Sequence, residues 1–379
     1  SGAVTGGSNV AFGRNAGGDG TTGSDNITIG RCSNATGVLT GSDNIVMGCK
    51  SALALTSGQK NIIMGKMAGL SADTALSNVI LGNCAGCQLT NGQYNVIFGD
   101  TAGMGGTTAY HRNVLIGCAA GRCSTTSDTI AIGDMAGKCA TSIRSIFIGK
   151  YAGKETTSGG TNVFVGSYAG SNLQTGSSNV AVGCRSLLGS PTPGNNTGDY
   201  NVAFGKNALC CITSGDSNIA IGCNVLDLIS TGSANIALGK ASMGTGVVTG
   251  DYNVAIGCGA GAGMTSGCQN VYLGINVGLA NTDGTKSVII GVEAGKTGTT
   301  ITNNIIIGNE AGHAGTLTGV KNVMVGNQTG CDITSGACNT LLGHCAGTNL
   351  TSGCDNVMVG RGAGQNGATT GNGNTFLGS

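Results

Sequence analysis

The chain has no tryptophan, two prolines among 379 residues and 3% aromatic side chains. A globular core built on large rings is therefore not expected, because aromatics carry much of the buried area in ordinary domains. Charged residues make up 9%, against about a quarter in typical soluble domains, and the formal net charge is +1. That balance gives no electrostatic footprint for DNA, RNA or an anionic membrane. No apolar run approaches the roughly 18 residues of a membrane span, and the N-terminus does not read as a signal peptide. Neither nucleic-acid binding nor membrane insertion is expected. Glycine is abundant instead, 73 residues, where the usual share is roughly 7%. The glycines do not recur at every third position, which excludes a collagen triple helix. With 40% apolar residues in periodic array, the chain also lacks the composition of disorder.

What is present is repetition. A glycine returns every 16 to 18 residues, with one interval of 22, each time after the same short phrase, as in Asn9-Val10-Ala11-Phe12-Gly13, Asn61-Ile62-Ile63-Met64-Gly65 and Asn218-Ile219-Ala220-Ile221-Gly222. The anchors are Gly13, 30, 48, 65, 82, 99, 117, 133, 149, 166, 183, 205, 222, 239, 257, 274, 291, 308, 326, 343, 360 and 378. Self-similarity at a short fixed period marks a stacked repeat. The expected fold is all-β, a parallel β-solenoid or β-fibre of about 22 rungs of 16–18 residues. Residues 1–379 are expected to form one continuous rod, on the order of 100 Å long at the ~4.8 Å strand spacing. The chain opens on Ser1 and stops one residue past its last anchor, so a segment of a longer chain is expected.

Within a rung, Val or Ile usually lies three residues before the anchor, and Ile, Val, Leu, Phe or Met one before it. The segment is short, β-branched and bounded by Asn and Gly, which reads as strand. The residue between that pair points to the opposite face. It is also apolar nearly everywhere (Ile63, Leu115, Phe164, Ile306, Met358), with Thr28 polar and Tyr272 ambiguous. A strand apolar on both sides is buried on both sides. The expectation is that the flanking pair fills the rung and that the middle residue faces outward, covered by another copy of the chain. Beyond the anchor, thirteen rungs carry Ala-Gly at the third and fourth positions, as at Ala68-Gly69, which suits a tight corner. A later aliphatic residue (Leu55, Leu89, Leu173, Ile212, Ile229, Ile333, Leu350) predicts a second short strand; in 18-residue rungs it slips later, to Leu39, Val248 and Leu317.

Asn stands four residues before the anchor in nineteen rungs: Asn9, Asn26, Asn44, Asn61, Asn78, Asn95, Asn113, Asn162, Asn179, Asn201, Asn218, Asn235, Asn253, Asn270, Asn304, Asn322, Asn339, Asn356 and Asn374. Thr129, Ser145 and Ser287 replace it elsewhere. Stacked at the strand spacing, their amides are expected to form a hydrogen-bonded ladder rather than exposed turns.

The phrase Asn-Val-Ala-Ile-Gly-x-x-Ala-Gly, as at Asn253 to Gly261, resembles the repeats in the shafts of bacteriophage tail fibres, as do Asn179-Val-Ala-Val-Gly and Asn374-Thr-Phe-Leu-Gly. It is more distantly similar to the head repeats of trimeric autotransporter adhesins. The resemblance spans essentially the whole chain. It implies a homotrimer, located in the virion, that supports host-cell attachment as a non-enzymatic shaft. Its partners would be further copies of itself, other fibre or tail proteins at its ends, and a host receptor engaged by a part outside this chain. The alternatives are the stalk of a bacterial surface adhesin, extracellular or on the cell surface, and a polysaccharide depolymerase.

Chemistry is sparse. His111, His313 and His344 occupy different registers and assemble no metal or nucleophile site. Glu293 and Glu310 share a register in adjacent rungs, but paired carboxylates for sugar hydrolysis need a cleft as well as a separation of roughly 5 to 10 Å. Seventeen cysteines fall in mixed registers, and Cys84-Ala85-Gly86-Cys87 has no second CxxC to complete a zinc site. Reduced, buried cysteines are the expectation, with scattered inter-rung disulfides as the alternative. No catalytic residue, cofactor or metal is expected. The 22-residue interval makes a longer rung at 184–204 and carries both prolines, which cannot donate to a ladder. Pro191, Pro193, Asn195 and Asn196 there are expected to bulge outward, either as an accommodated insertion or as a contact loop.

Overall fold

The computed structural model describes residues 5–18, 20–105, 109–124, 127–141, 144–190, 196–365 and 370–378. The described residues form an all-β parallel solenoid of about 22 rungs with no helix. Two compact units are present, Ser1–Arg185 and Ser186–Ser379. The first holds eleven three-residue strands, from β1 (Val10–Phe12) to β11 (Val180–Val182); the second holds eleven more, from β12 (Val202–Phe204) to β22 (Thr375–Leu377). Within each unit every strand pairs in parallel with the strand of the next rung, and equivalent residues lie opposite, as in Ile219↔Ile236, Ala220↔Ala237 and Ile221↔Leu238. The period read from the sequence is therefore the register of the sheet.

The two faces of the strand are the reverse of the sequence expectation. From the second strand to the twenty-first, the middle residue is buried and its neighbours are half-exposed or exposed, as in Ile305–Ile307 and Val96–Phe98. Ile63, Phe164 and Ile306 have no exposed surface. The turning of the chain explains this. Each rung bends in the left-handed region on both sides of its strand, five residues before the anchor and two after it, as at Tyr252 (φ 58) and Asn276 (φ 51). These bends curl the chain around the middle side chain and leave the flanking pair outside.

The anchor itself must be glycine. At Gly65 φ is +133, and a Cβ would stand 2.3 Å from the carbonyl oxygen of Gly82 in the next rung. No L residue combines that dihedral with that approach.

Core packing links the middle strand position to the fourth position after the anchor. Where the middle residue is large, the later position is glycine, because the large side chain lies on it. A Cβ at Gly170 would meet the Phe164 ring at 2.3 Å, and one at Gly278 the Tyr272 ring at 2.4 Å. Where the middle residue shrinks to Ala203, Ala220 or Ala237, the later position becomes Leu209, Leu226 or Met243, fully buried despite a positive φ. Volume is conserved within the rung while its source changes sides, as close packing demands. Ala131 and Ala255 keep glycines at 137 and 261, and there the ring of the next rung fills the space: Phe147 Cδ2 lies 2.8 Å and Tyr272 Cδ2 3.0 Å from where a Cβ would be. The first rung has Ala11, Gly17 and Gly20, and a cavity of about 210 Å³, lined also by Thr28 and Leu39, remains there.

The expected second strand is not formed. Among the described residues only isolated parallel bridges occur on that side, such as Gln59↔Leu76 and Leu76↔Gln93. The aliphatic residues assigned to it are nonetheless core: Leu55, Leu89, Ile333 and Leu350 are fully buried.

Candidate functional site

The most extensive features available for function are those that repeat. The first is the asparagine column. Asn44 donates Nδ2–H to Asn26 Oδ1 (3.0 Å) in the rung before and to the Gly58 carbonyl (2.8 Å) in the rung after, and its backbone N–H reaches the same Asn26 oxygen at 3.0 Å. The pattern recurs at Asn61, Asn78 and Asn95 in the first unit, and at Asn235, Asn253, Asn270, Asn339 and Asn356 in the second. Asn9 accepts from Asn26, Asn113 donates to Asn95, and Asn374 donates to Asn356. Asn162, Asn201, Asn218, Asn304 and Asn322 each donate Nδ2–H to a corner carbonyl. The backbone N–H of Asn179 donates to Asn162 Oδ1 at 2.9 Å. The hydroxyl of Ser287 takes the same place, accepting from Asn304 N (3.2 Å) and donating to the Ile301 carbonyl (3.0 Å). Nearly all of these side chains are buried, so each amide bond made is a desolvation cost avoided.

The second feature is the outward face of the sheet. In the first unit all eleven strands present two apolar side chains outward, and in the second unit Thr340 and Thr375 are the exceptions. Phe98 is 54% exposed, Ile221 42% and Ile305 41%. A parallel sheet ordinarily has both faces covered, and monomeric proteins rarely expose a contiguous apolar patch above a few hundred Å².

The remaining sequence candidates do not converge. Asn196 is buried; its Oδ1 accepts from Ser190 N (3.0 Å) and its Nδ2 donates to Ser190 O (2.8 Å). Its side chain thus closes the base of the long rung. Pro191, Pro193 and Asn195 lie outside the described residues. Glu293 pairs with Lys296 (2.9 Å) and His313 (3.7 Å), while Glu310 accepts from Gln328 Nε2 (2.7 Å). The Lys296 hydrogen bond, with the charges of Lys296 and His313, holds the Glu293 carboxyl below the usual range, the opposite of what a general acid requires. His111 Nδ1 accepts from the Gln93 backbone (3.1 Å), and His344 Nε2 lies 3.8 Å from Cys345 Sγ. None of the seventeen cysteines is joined in a disulfide, but only Cys87 and Cys210 are buried. The expectation of buried cysteines fails because most occupy corner positions. Among the described residues no group of His, Cys, Asp and Glu is placed to hold a metal ion, and no helix is long and apolar enough to cross a membrane.

No protein-family model matches the chain, and no curated protein is similar to it at a significant level.

Proposed function

We propose that this chain is a non-enzymatic structural element, a shaft segment of a fibre of the bacteriophage tail type, in which three copies associate through their outward aliphatic faces. The observation that carries the reading is the apolar outward face of the parallel ladder, unbroken in the first unit and interrupted in the second by Thr340 and Thr375. At roughly 25 cal/mol per Å² removed from water, covering such a face outweighs the cost of association, and a closed ring of identical chains covers it on every member at once. The number three comes from the resemblance of the repeats. In this reading the fibre belongs to the virion and supports host attachment, with other tail or fibre proteins joined at its ends. Multi-angle light scattering of the purified chain tests it: a mass three times 36.9 kDa is expected. A stable, soluble monomer at micromolar concentration overturns the reading.

A further inference from the structure

The first four rungs carry a row of cations on one corner. Arg14, Arg31 and Lys66 directly follow their anchors, and Lys50 stands one place later; all four are exposed. The backbone stacks them rung on rung: Cys32 N donates to Arg14 O (2.9 Å), Lys50 N to Arg31 O (3.0 Å) and Met67 N to Cys49 O (3.0 Å). Elsewhere Arg112, Lys150, Lys154 and Lys296 are ion-paired. Among the described residues, none of these four cations is. Further along, the same corner changes sign at Asp100 and Asp134. The overall charge of +1 thus conceals a local basic strip.

We propose that Arg14, Arg31, Lys50 and Lys66 form a docking strip for an acidic polysaccharide laid along the stack of rungs. The strip offers about one positive charge per ~4.8 Å rung, which suits a linear polymer with one carboxylate on each sugar ring. Guanidinium groups are good partners for carboxylates because their paired N–H groups match the two oxygens. A nucleic acid fits less well. A duplex carries one phosphate per about 3.4 Å of helix axis on each strand, and its strands wind away from a straight row of rungs. Single strands are held by base stacking on aromatic rings, and the corner residues of these rungs (Asn15, Cys32, Cys49, Met67) include none. The inference goes beyond the structural role proposed above and does not depend on the number of chains in the assembly.

The row contains its own reporter. Arg31 Nη2 lies 3.4 Å from Cys49 Sγ, and this hydrogen bond, with the charges of Arg31, Lys50 and Lys66, holds the Cys49 thiol below its ordinary pKa against the effect of desolvation. An anion seated on the strip must raise it again and slow alkylation of Cys49.

The experiment titrates the full chain with polygalacturonate at low ionic strength, with neutral dextran and poly-dT in parallel, while mass spectrometry follows iodoacetamide labelling of Cys49 and of the exposed Cys223. Expected are salt-sensitive binding of polygalacturonate, slower labelling of Cys49 but not Cys223, and no binding of dextran. Arg31→Gln combined with Lys66→Gln should weaken binding at least about tenfold, the loss of roughly 1.4 kcal/mol. Arg112→Gln should leave it unchanged. Circular dichroism confirms that both variants fold, since every substituted residue is exposed. Absence of binding at low salt, equal binding by the double variant, unchanged labelling of Cys49, or tighter binding of poly-dT each overturns the proposal.

Discussion

Asn235 donates its side-chain amide to Asn218 Oδ1 at 3.2 Å, and its backbone N–H reaches the same oxygen at 3.0 Å. One carboxamide oxygen therefore satisfies two donors of the following rung. The amide of Asn218 meanwhile donates to Asn201 Oδ1 (3.1 Å) and to the Gly232 carbonyl (2.8 Å). Each rung fixes the corner of the next, so register passes along the ladder without a continuous second strand.

Asn218→Ala should accordingly destabilise the fold by about 1–3 kcal/mol, the cost of leaving buried donors and acceptors unpaired. Chemical denaturation of the variant measures it. Loss of stability within error of zero would mean that water replaces the amide, and the ladder would then be dispensable at that rung.

The exchange of volume between strand and corner predicts strong coupling at Ala220 and Leu226. Leu226→Gly alone should cost about 2–5 kcal/mol by opening a cavity, and Ala220→Ile alone about 1–3 kcal/mol by overpacking. The double variant reproduces the pattern of Ile306 with Gly312 and should be clearly more stable than the sum of the singles. Simple additivity in a double-mutant cycle would show that the two positions do not share space.

Reversal of the strand faces separates folding from assembly. Ile306→Asp buries a charge in the rung and should unfold the surrounding rungs, seen as lost ellipticity and a lower Tm. Ile305→Asp, at a site 41% exposed, should leave the fold intact and lower the mass seen by light scattering. If Ile305→Asp assembles like the wild type, the outward face is not the contact between chains.

Asp227 gives a pH signature. Burial holds its carboxyl above the ordinary range, partly offset by the backbone N–H groups of Asp227 and Leu228, and its Oδ1 has no hydrogen-bond partner. A carboxyl raised in the folded state is harmless below the unfolded pKa, near 3.9. As pH rises from there to the folded pKa, the unfolded chain releases its proton first and stability falls. Asp227→Asn should therefore flatten that decline and raise stability at pH 7. A variant with the same stability profile as the wild type would show that the carboxylate is solvated.

Much of the rung is legible in the sequence. The anchors, the strand positions and the Asn column follow from spacing and residue type alone. The inward face did not, although a signal for it was present. Alternation puts Asn61 and Ile63 on one side of the strand, so a buried Asn ladder already requires a buried middle residue. Which way the rung curls was not readable, because it depends on left-handed bends at residues as unlike as Asp25, Lys60, Tyr94 and Ala234, all with φ between 55 and 58. No composition marks these positions; the stacking of rungs imposes the conformation on whatever side chain is there. Sites on the corners, such as the cation row, were hidden for a different reason. Net charge averages over the whole chain, whereas Arg14 and Arg31, 17 residues apart, become neighbours once they are placed by their anchors, Gly13 and Gly30.

The fitted pair of the core, such as Ile306 with Gly312, straddles the anchor within a stretch of seven residues. Genes with repeated segments change length by unequal recombination, and here the position of the break matters. A break outside that stretch moves a matched pair as one inheritable unit, and the chain gains or loses a whole rung. A break inside it joins an Ile306-type strand to a Leu226-type corner and puts two large side chains in one place. Lineages of this chain should therefore vary in the number of rungs, with their junctions avoiding the residues around the anchor.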